Sequence, residues 1–184
     1  EENHESHLAA MRRDIAHVLC FKPLSYSDMT ARLSDRIQNM DEFSSILSEM
    51  TRFRAPEGLS DSGTFELKEQ YLDLIDPYLH QYNRNQREEA ENTYKTYMAK
   101  KTGKQASDVV FEPKLRPIPS GLFQNLSAFT RTPLFTQIIY YLLGYGLRAE
   151  AVTPTIPATR VETYIQFVLQ LVLVAILEDK SEEH

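Results

Sequence analysis

The chain has 184 residues, 42% of them apolar and 25% charged, enough for one good core or for one small domain with a helical extension. Its formal net charge of −6 argues against a nucleic-acid binder, whose domains usually run basic. The single cysteine, Cys20, excludes an internal disulfide framework and a cysteine-rich zinc site, and suits a reducing compartment.

The opening EENHESH has neither a basic n-region nor an apolar h-region, so it is no signal peptide and reads as the start of a piece of something longer. From His7 to Cys20, the residues Leu8, Met11, Ile15, Val18 and Leu19 recur every three or four positions, as one face of a helix does, and Pro23 closes the segment. Cys20 falls on that apolar side, where a buried thiol is expected and not a nucleophile. Ser25 or Ser27 caps a short second helix with Met29 and Leu33 inward. A third helix starts on a capping-box-like pair, Asn39 and Glu42, and carries Phe43, Ile46, Leu47 and Met50 on its buried face. A strand from Phe53, a turn region in APEGLSDSG and an alternating strand TFELK, with Phe65 and Leu67 on one face, complete the pattern. Three helices and a hairpin in this span predict a winged helix with Ile15, Leu19, Phe43, Ile46, Leu47, Phe65 and Leu67 in its core.

Residues 71–82 alternate aromatic and aliphatic side chains around Pro77 and are expected to cross the domain in short pieces. A polar helix should start near Asn85, capped with Glu88, and end at Gly103. The proline-containing stretch 104–121 reads as a linker or wrapped arm, with Val109, Val110 and Phe111 as candidate anchors. Two apolar helices follow, 122–148 with an interruption near Thr130–Pro133, and 158–179, expected to pack as a hairpin. The run at 164–177 is too short to span a bilayer and contains Gln166 and Gln170, so it reads as a buried helix. The fold class is therefore mainly α with a small β-hairpin, divided into 1–82 (winged-helix-like), 83–121 (long helix and arm) and 122–184 (helical segment).

A DNA-reading winged helix needs cations or amides on the helix before the wing. Residues 37–51 hold no lysine or arginine and carry Asp41, Glu42 and Glu49, which repel a polyanion. The wing sets Lys68, Arg52 and Arg54 against Glu57, Asp61 and Glu66. No catalytic constellation emerges either. His4 and His7 have a metal-compatible spacing but sit at the chain's start and read as solvated, His17 and His80 read as packed or half-exposed, and the acids of REEAE read as a solvated face. Gly144 and Gly146, inside an apolar helix, read as permitting close packing or a kink. One basic cluster remains, Lys95, Lys100, Lys101, Lys104, Lys114 and Arg116. Its plain reading is a helix end complementing the dipole plus a soluble linker; its functional reading is a docking patch centred on Lys100, Lys101 and Lys104.

The stretches MRRDIAHVLCFKPLSYSDMTARL (11–33), EMTRFRAPEGLSDSGTFELK (49–68), YNRNQREEAE (82–91) and MAKKTGK (98–104) together resemble the central winged-helix-like region of the N-recognin ubiquitin ligases, most of all the fungal members. These are large RING-type enzymes of the N-end-rule (N-degron) pathway that carry a UBR box. The resemblance implies a cytoplasmic protein, with the nucleus as a second compartment, many times this length. It also implies zinc in the box and the RING elsewhere in the parent protein; this segment, with one cysteine, holds neither and is expected to need no cofactor. The implied role is a non-catalytic structural segment between substrate-recognition domains and the platform for the ubiquitin-conjugating enzyme. Its implied partners are neighbouring domains of the same ligase, with no nucleic acid and no membrane. The alternative is a docking module for the conjugating enzyme, ubiquitin or an internal degron.

Overall fold

Met11, Ile15 and Leu19 lie on one side of the first helix, α1 (His4–Leu19), and all are buried. The computed structural model describes residues 4–58, 61–116, 118, 120–148 and 156–182. The chain groups into two units, Glu1–Phe111 and Glu112–His184. This differs from a break after residue 82, because the long helix and the first part of the arm pack onto the winged helix.

In the first unit α1 is followed by β1 (Leu24–Ser25), α2 (Tyr26–Thr30), α3 (Asp35–Gln38), α4 (Phe43–Met50), β2 (Thr51–Arg54) and β3 (Thr64–Leu67). The sheet is antiparallel in the order β1-β3-β2, with Leu24 opposite Phe65 and Phe53 opposite Phe65 on the other side. This is a winged helix with one more strand and one more short helix than the sequence pattern predicts. The extra helix explains the misplaced cap: Asn39 terminates α3, and Glu42 precedes α4 without any side-chain cap bond. Ser25 caps α2, its Oγ accepting from the Asp28 N–H at 3.2 Å. Leu59 and Ser60 of the expected turn lie outside the described residues.

One cluster joins Met11, Ile15, Leu19, Met29, Phe43, Ile46, Leu47 and Met50, with Phe65 and Leu67 half-buried against it. Burial along β3 does not alternate. As the central strand it is flanked on both edges, and its outer Glu66 is covered by the Arg54 guanidinium, whose Nε and Nη2 donate at 2.8 and 2.6 Å.

After β3 comes a 3-10 turn (Glu69–Leu74), then α5 (Arg84–Thr102). A capping box does open α5, but it is Asn83 with Gln86 and not Asn85 with Glu88: the Gln86 N–H donates to Asn83 Oδ1 at 2.9 Å, and Asn83 N–H to Gln86 Oε1 at 3.0 Å. Gly103 ends the helix with φ 72°, the left-handed cap where a side chain would be strained. Ala90, against Ile75 and Cys20, and Tyr94, against Val109 and Phe111, seat α5 on the unit. Val109 and Phe111 anchor the arm, whereas Val110 points to solvent. Pro117 and Pro119 of the arm lie outside the described residues.

The second unit contains a 3-10 turn (Leu126–Arg131), α6 (Pro133–Arg148) and α7 (Ala158–Glu182). The α-helix starts only at Pro133, at the first helical position where its missing N–H costs nothing, with the Thr132 hydroxyl accepting from the Phe135 N–H at 3.2 Å. Gly146 allows close approach: a Cβ there would meet Ile165 Cδ1 at 2.6 Å, while Gly144 faces open space. α7 extends the helix expected at 158–179 by three residues and corrects the reading of its apolar run as buried and too short to span a bilayer. It has 25 residues, and Ala158–Ser181 is long and apolar enough to cross a membrane by length and composition alone. Only Val161 and Val168 of α7 are buried among the described residues.

Candidate functional site

The three lysines expected to dock a partner sit at the end of α5 and just past it. Lys100 Nζ contacts Glu69 at 2.9 Å, and Lys101 Nζ contacts Asp73 at 2.5 Å while lying 5.5 Å above the Tyr97 ring. The Asp73 carboxylate holds Lys101 above the usual lysine range. One turn earlier Lys95 pairs with Glu91 at 2.7 Å. These cations therefore join α5 to itself and to the 3-10 turn, through exposed pairs that water and salt screen. Lys104 lies exposed beyond the Gly103 cap. Alongside, the 3-10 turn and α5 enclose an open groove of about 650 Å³ lined by Glu69, Leu72, Glu88, Glu89 and Tyr97.

The helix before the wing presents no cation. Glu49 near its end accepts from Arg12 Nη2 at 3.0 Å and from the Tyr71 hydroxyl at 2.8 Å, bonds that hold its carboxyl below the usual range. Arg54 is engaged by Glu66, and Arg52 stands exposed. Among the described residues, this helix and the wing supply no basic stripe for a phosphate backbone.

The titratable groups inside the fold form a staple, a feature the sequence did not signal. His17 Nδ1–H donates to the Arg13 carbonyl at 2.7 Å, and Nε2 accepts from the Asp76 N–H at 2.8 Å, which fixes a neutral tautomer. Burial pushes the His17 pKa down, against the opposing pull of Asp76 and Asp14. The Tyr82 hydroxyl donates to the His17 carbonyl at 2.8 Å and lies 3.6 Å from Cys20 Sγ. Burial raises the Cys20 thiol to about 11 and lifts the Tyr82 phenol further still, so neither ionises near neutral pH. His4 contacts Glu42 at 3.0 Å and His7 contacts Arg36 at 3.0 Å, so the two diverge; among the described residues no His, Cys, Asp and Glu gather as a metal site. His80 is exposed.

This staple predicts a pH dependence. The folded state prefers His17 neutral, so its contribution is fully present above the ordinary histidine pKa near 6.5 and falls as the pH drops toward the lowered folded value. In urea unfolding between pH 8 and 5, the stability gap between the natural protein and His17→Gln should narrow with acidification. A gap that stays constant would refute the staple.

Phe53 is the other feature legible only in three dimensions. Its ring lies over Gly63, where a Cβ would come within 2.2 Å of it, and 5.3 Å from the Phe65 ring, yet it remains 62% exposed. Gly63→Val should displace this exposed ring, which is free to swing aside, and leave stability within about 0.5 kcal/mol of the natural protein's, read by denaturant midpoint.

The winged-helix family described as "E3 ubiquitin-protein ligase UBR1-like, winged-helix domain" matches residues 10–109. The chain is 38% identical over 133 residues to the E3 ubiquitin-protein ligase ubr1 of Schizosaccharomyces pombe, covering 72% of this chain and 7% of that protein. It is 30% identical over 142 residues to E3 ubiquitin-protein ligase UBR1 of Saccharomyces cerevisiae, 76% of this chain and 7% of the relative. With E3 ubiquitin-protein ligase UBR1 of Drosophila melanogaster the identity is 28% over 176 residues, 95% of this chain and 9% of the relative. The chain thus spans less than a tenth of the length of these relatives.

Proposed function

Because the chain belongs to the winged-helix domain family of UBR1-like E3 ubiquitin-protein ligases, we propose that it is a non-catalytic structural and interaction segment of an N-end-rule ligase. In this reading it takes part in recognition and ubiquitination of N-degron substrates for proteasomal degradation by setting the distance and orientation of recognition and transfer modules. One observation carries it: the buried histidine and most of the cations that could do chemistry or dock a charged partner are engaged within the fold. His17 bonds Arg13 and Asp76, Lys100 and Lys101 pair with Glu69 and Asp73, and Arg54 pairs with Glu66. The partners are then neighbouring domains of the same ligase, which suits the exposed apolar surface of α6 and α7. A buried lone thiol is at home in the cytoplasm or nucleus, and no cofactor is assigned to the segment.

The test uses the full-length ligase. Ile46→Ala or Phe65→Ala should lower ubiquitination of all substrate classes in parallel. Loss confined to one N-terminal class, with folding intact, would overturn a general structural role.

Docking of the conjugating enzyme, ubiquitin or an internal degron is favoured by one observation, the exposure of Lys104 beside an engaged Lys100 and Lys101. Titration of the conjugating enzyme, bare and ubiquitin-charged, against the full-length ligase and its Lys104→Glu variant separates the readings. An affinity that drops with the variant and with added salt supports docking; an unchanged affinity leaves the structural role.

A further inference from the structure

Helices α6 and α7 run antiparallel: Gly146 approaches Ile165, while Phe135 and Ile139 share a groove of about 310 Å³ with Val172 and Ala175. The residues facing the partner helix repeat at 4-3 spacing, Phe135, Ile139, Leu142 and Gly146 on α6 and Val161, Ile165, Val168 and Val172 on α7. That is the seam of a helix bundle.

Each helix carries a second such seam one position earlier. On α6 it is Leu134, Ile138, Tyr141 and Tyr145, all exposed. On α7 it is Arg160, Tyr164, Phe167 and Leu171, all exposed, continued by the half-buried Val174. A step of one residue turns a helix by about 100°, and in an antiparallel pair equal steps on both helices turn to the same side. The groove confirms the sense, because Thr136 and Ile176, each one position after a contact residue, line it together. The two earlier seams therefore share the opposite side. Between Arg148 and Arg160 at one end and Glu178 at the other, that side is aliphatic or aromatic, whereas the groove side is interrupted along its length by Thr136, Glu162 and Gln166.

We propose that this double seam seats a third helix, an amphipathic segment with an uncharged apolar stripe at 4-3 spacing, supplied from elsewhere in the same longer polypeptide. The inference rests on the reading of the chain as a structural segment of a larger ligase. Three observations select the occupant. The 4-3 repeat on both walls fits a helix and not a strand or loop. Charge confined to the two ends of the seam selects a partner whose middle is apolar. The relatives are aligned over only 7–9% of their length, and a helix tethered to the same chain has an effective concentration that a free partner lacks. A bilayer fits less well, since the 16 residues of α6 rise about 24 Å and a hydrocarbon core is about 30 Å thick.

The test places p-benzoylphenylalanine at Tyr141 or Phe167 in the full-length protein that contains this chain, followed by irradiation and mass spectrometry. The expected result is a product of monomer mass, cross-linked from both positions to one helical segment outside residues 1–184 and lost when Ile138 and Leu171 are both changed to glutamate. A product of twice the monomer mass assigns the seam to a second copy and overturns the proposal. So does adduct formation with phosphatidylcholine vesicles, or the absence of any cross-link from correctly folded protein. Ubiquitin transfer by the Ile46→Ala and Phe65→Ala variants separates the two readings: parallel loss of all substrate classes with no cross-link at the seam keeps the structural role and removes the third helix.

Discussion

Phe43→Ala is expected to destabilise the winged helix by about 3–5 kcal/mol, a large share of the 5–15 kcal/mol that holds a typical domain together. Phe43 opens α4 at 2% exposure inside the main cluster with Met11, Ile15 and Met29. Removing its ring leaves a cavity whose walls come from several helices and cannot all relax inward. Urea unfolding followed by circular dichroism should show a lower midpoint at unchanged slope. A loss below about 1 kcal/mol would mean that α4 is packed less tightly than described. On the structural role proposed above, the same substitution in the full-length ligase should depress every substrate class together.

Ile75→Ala should cost about 2–5 kcal/mol by the same cavity argument but at a different place. Ile75 is 1% exposed between Cys20 and Ala90, with Leu72 and Tyr82 half-buried around it. This small cluster, the His17 staple and the Lys100 and Lys101 pairs together seat α5, and the ion pairs are too exposed to carry it alone. Hydrogen exchange in the Ile75→Ala protein should therefore accelerate first across α5, with the amides of α1 and α4 retaining more protection. Uniform acceleration across the first unit would show instead that α5 and the winged helix open as one.

Much of the winged helix was legible because its signals are local. The 3-4 spacing from Met11 to Leu19 and from Phe43 to Met50 reports a buried face directly, and Gly103 announced the end of α5. The misplaced caps have a common cause. Asn39 with Glu42 and Asn85 with Glu88 fit the same capping-box spacing, Asn-x-x-Glu or Gln, as the true pair, Asn83 with Gln86. What selects Asn83 is a contact from α1, the Tyr82 hydroxyl on the His17 carbonyl, 65 residues away in sequence. No local pattern reports that.

The candidate site was less legible for the same reason. A lysine paired across 31 residues, as Lys100 is with Glu69, looks in sequence like a lysine awaiting a partner. The exposure of Phe53 depends on Gly63 ten residues on, and the neutrality of His17 on a backbone N–H at Asp76. The apolar run in α7 was visible, but its composition alone does not tell a covered helix from an exposed one. Its 4-3 pattern acquires two faces only once Gly146 and Ile165 fix which side meets α6.

The central strand of the sheet is the last of the three to be made. β1 and β2 flank β3, so neither has its neighbour until Thr64–Leu67 has been synthesised. A nascent chain ending earlier carries α1 to α4 with Phe43 and Leu47 unsealed by Phe65 and Leu67, and two strands whose backbone groups pair only with water. Folding must wait to close a loop of some 40 residues between Leu24 and Phe65, a non-local step that slows assembly. During synthesis, therefore, the sheet cannot close over Phe43 and Leu47 until residues 64–67 have been added.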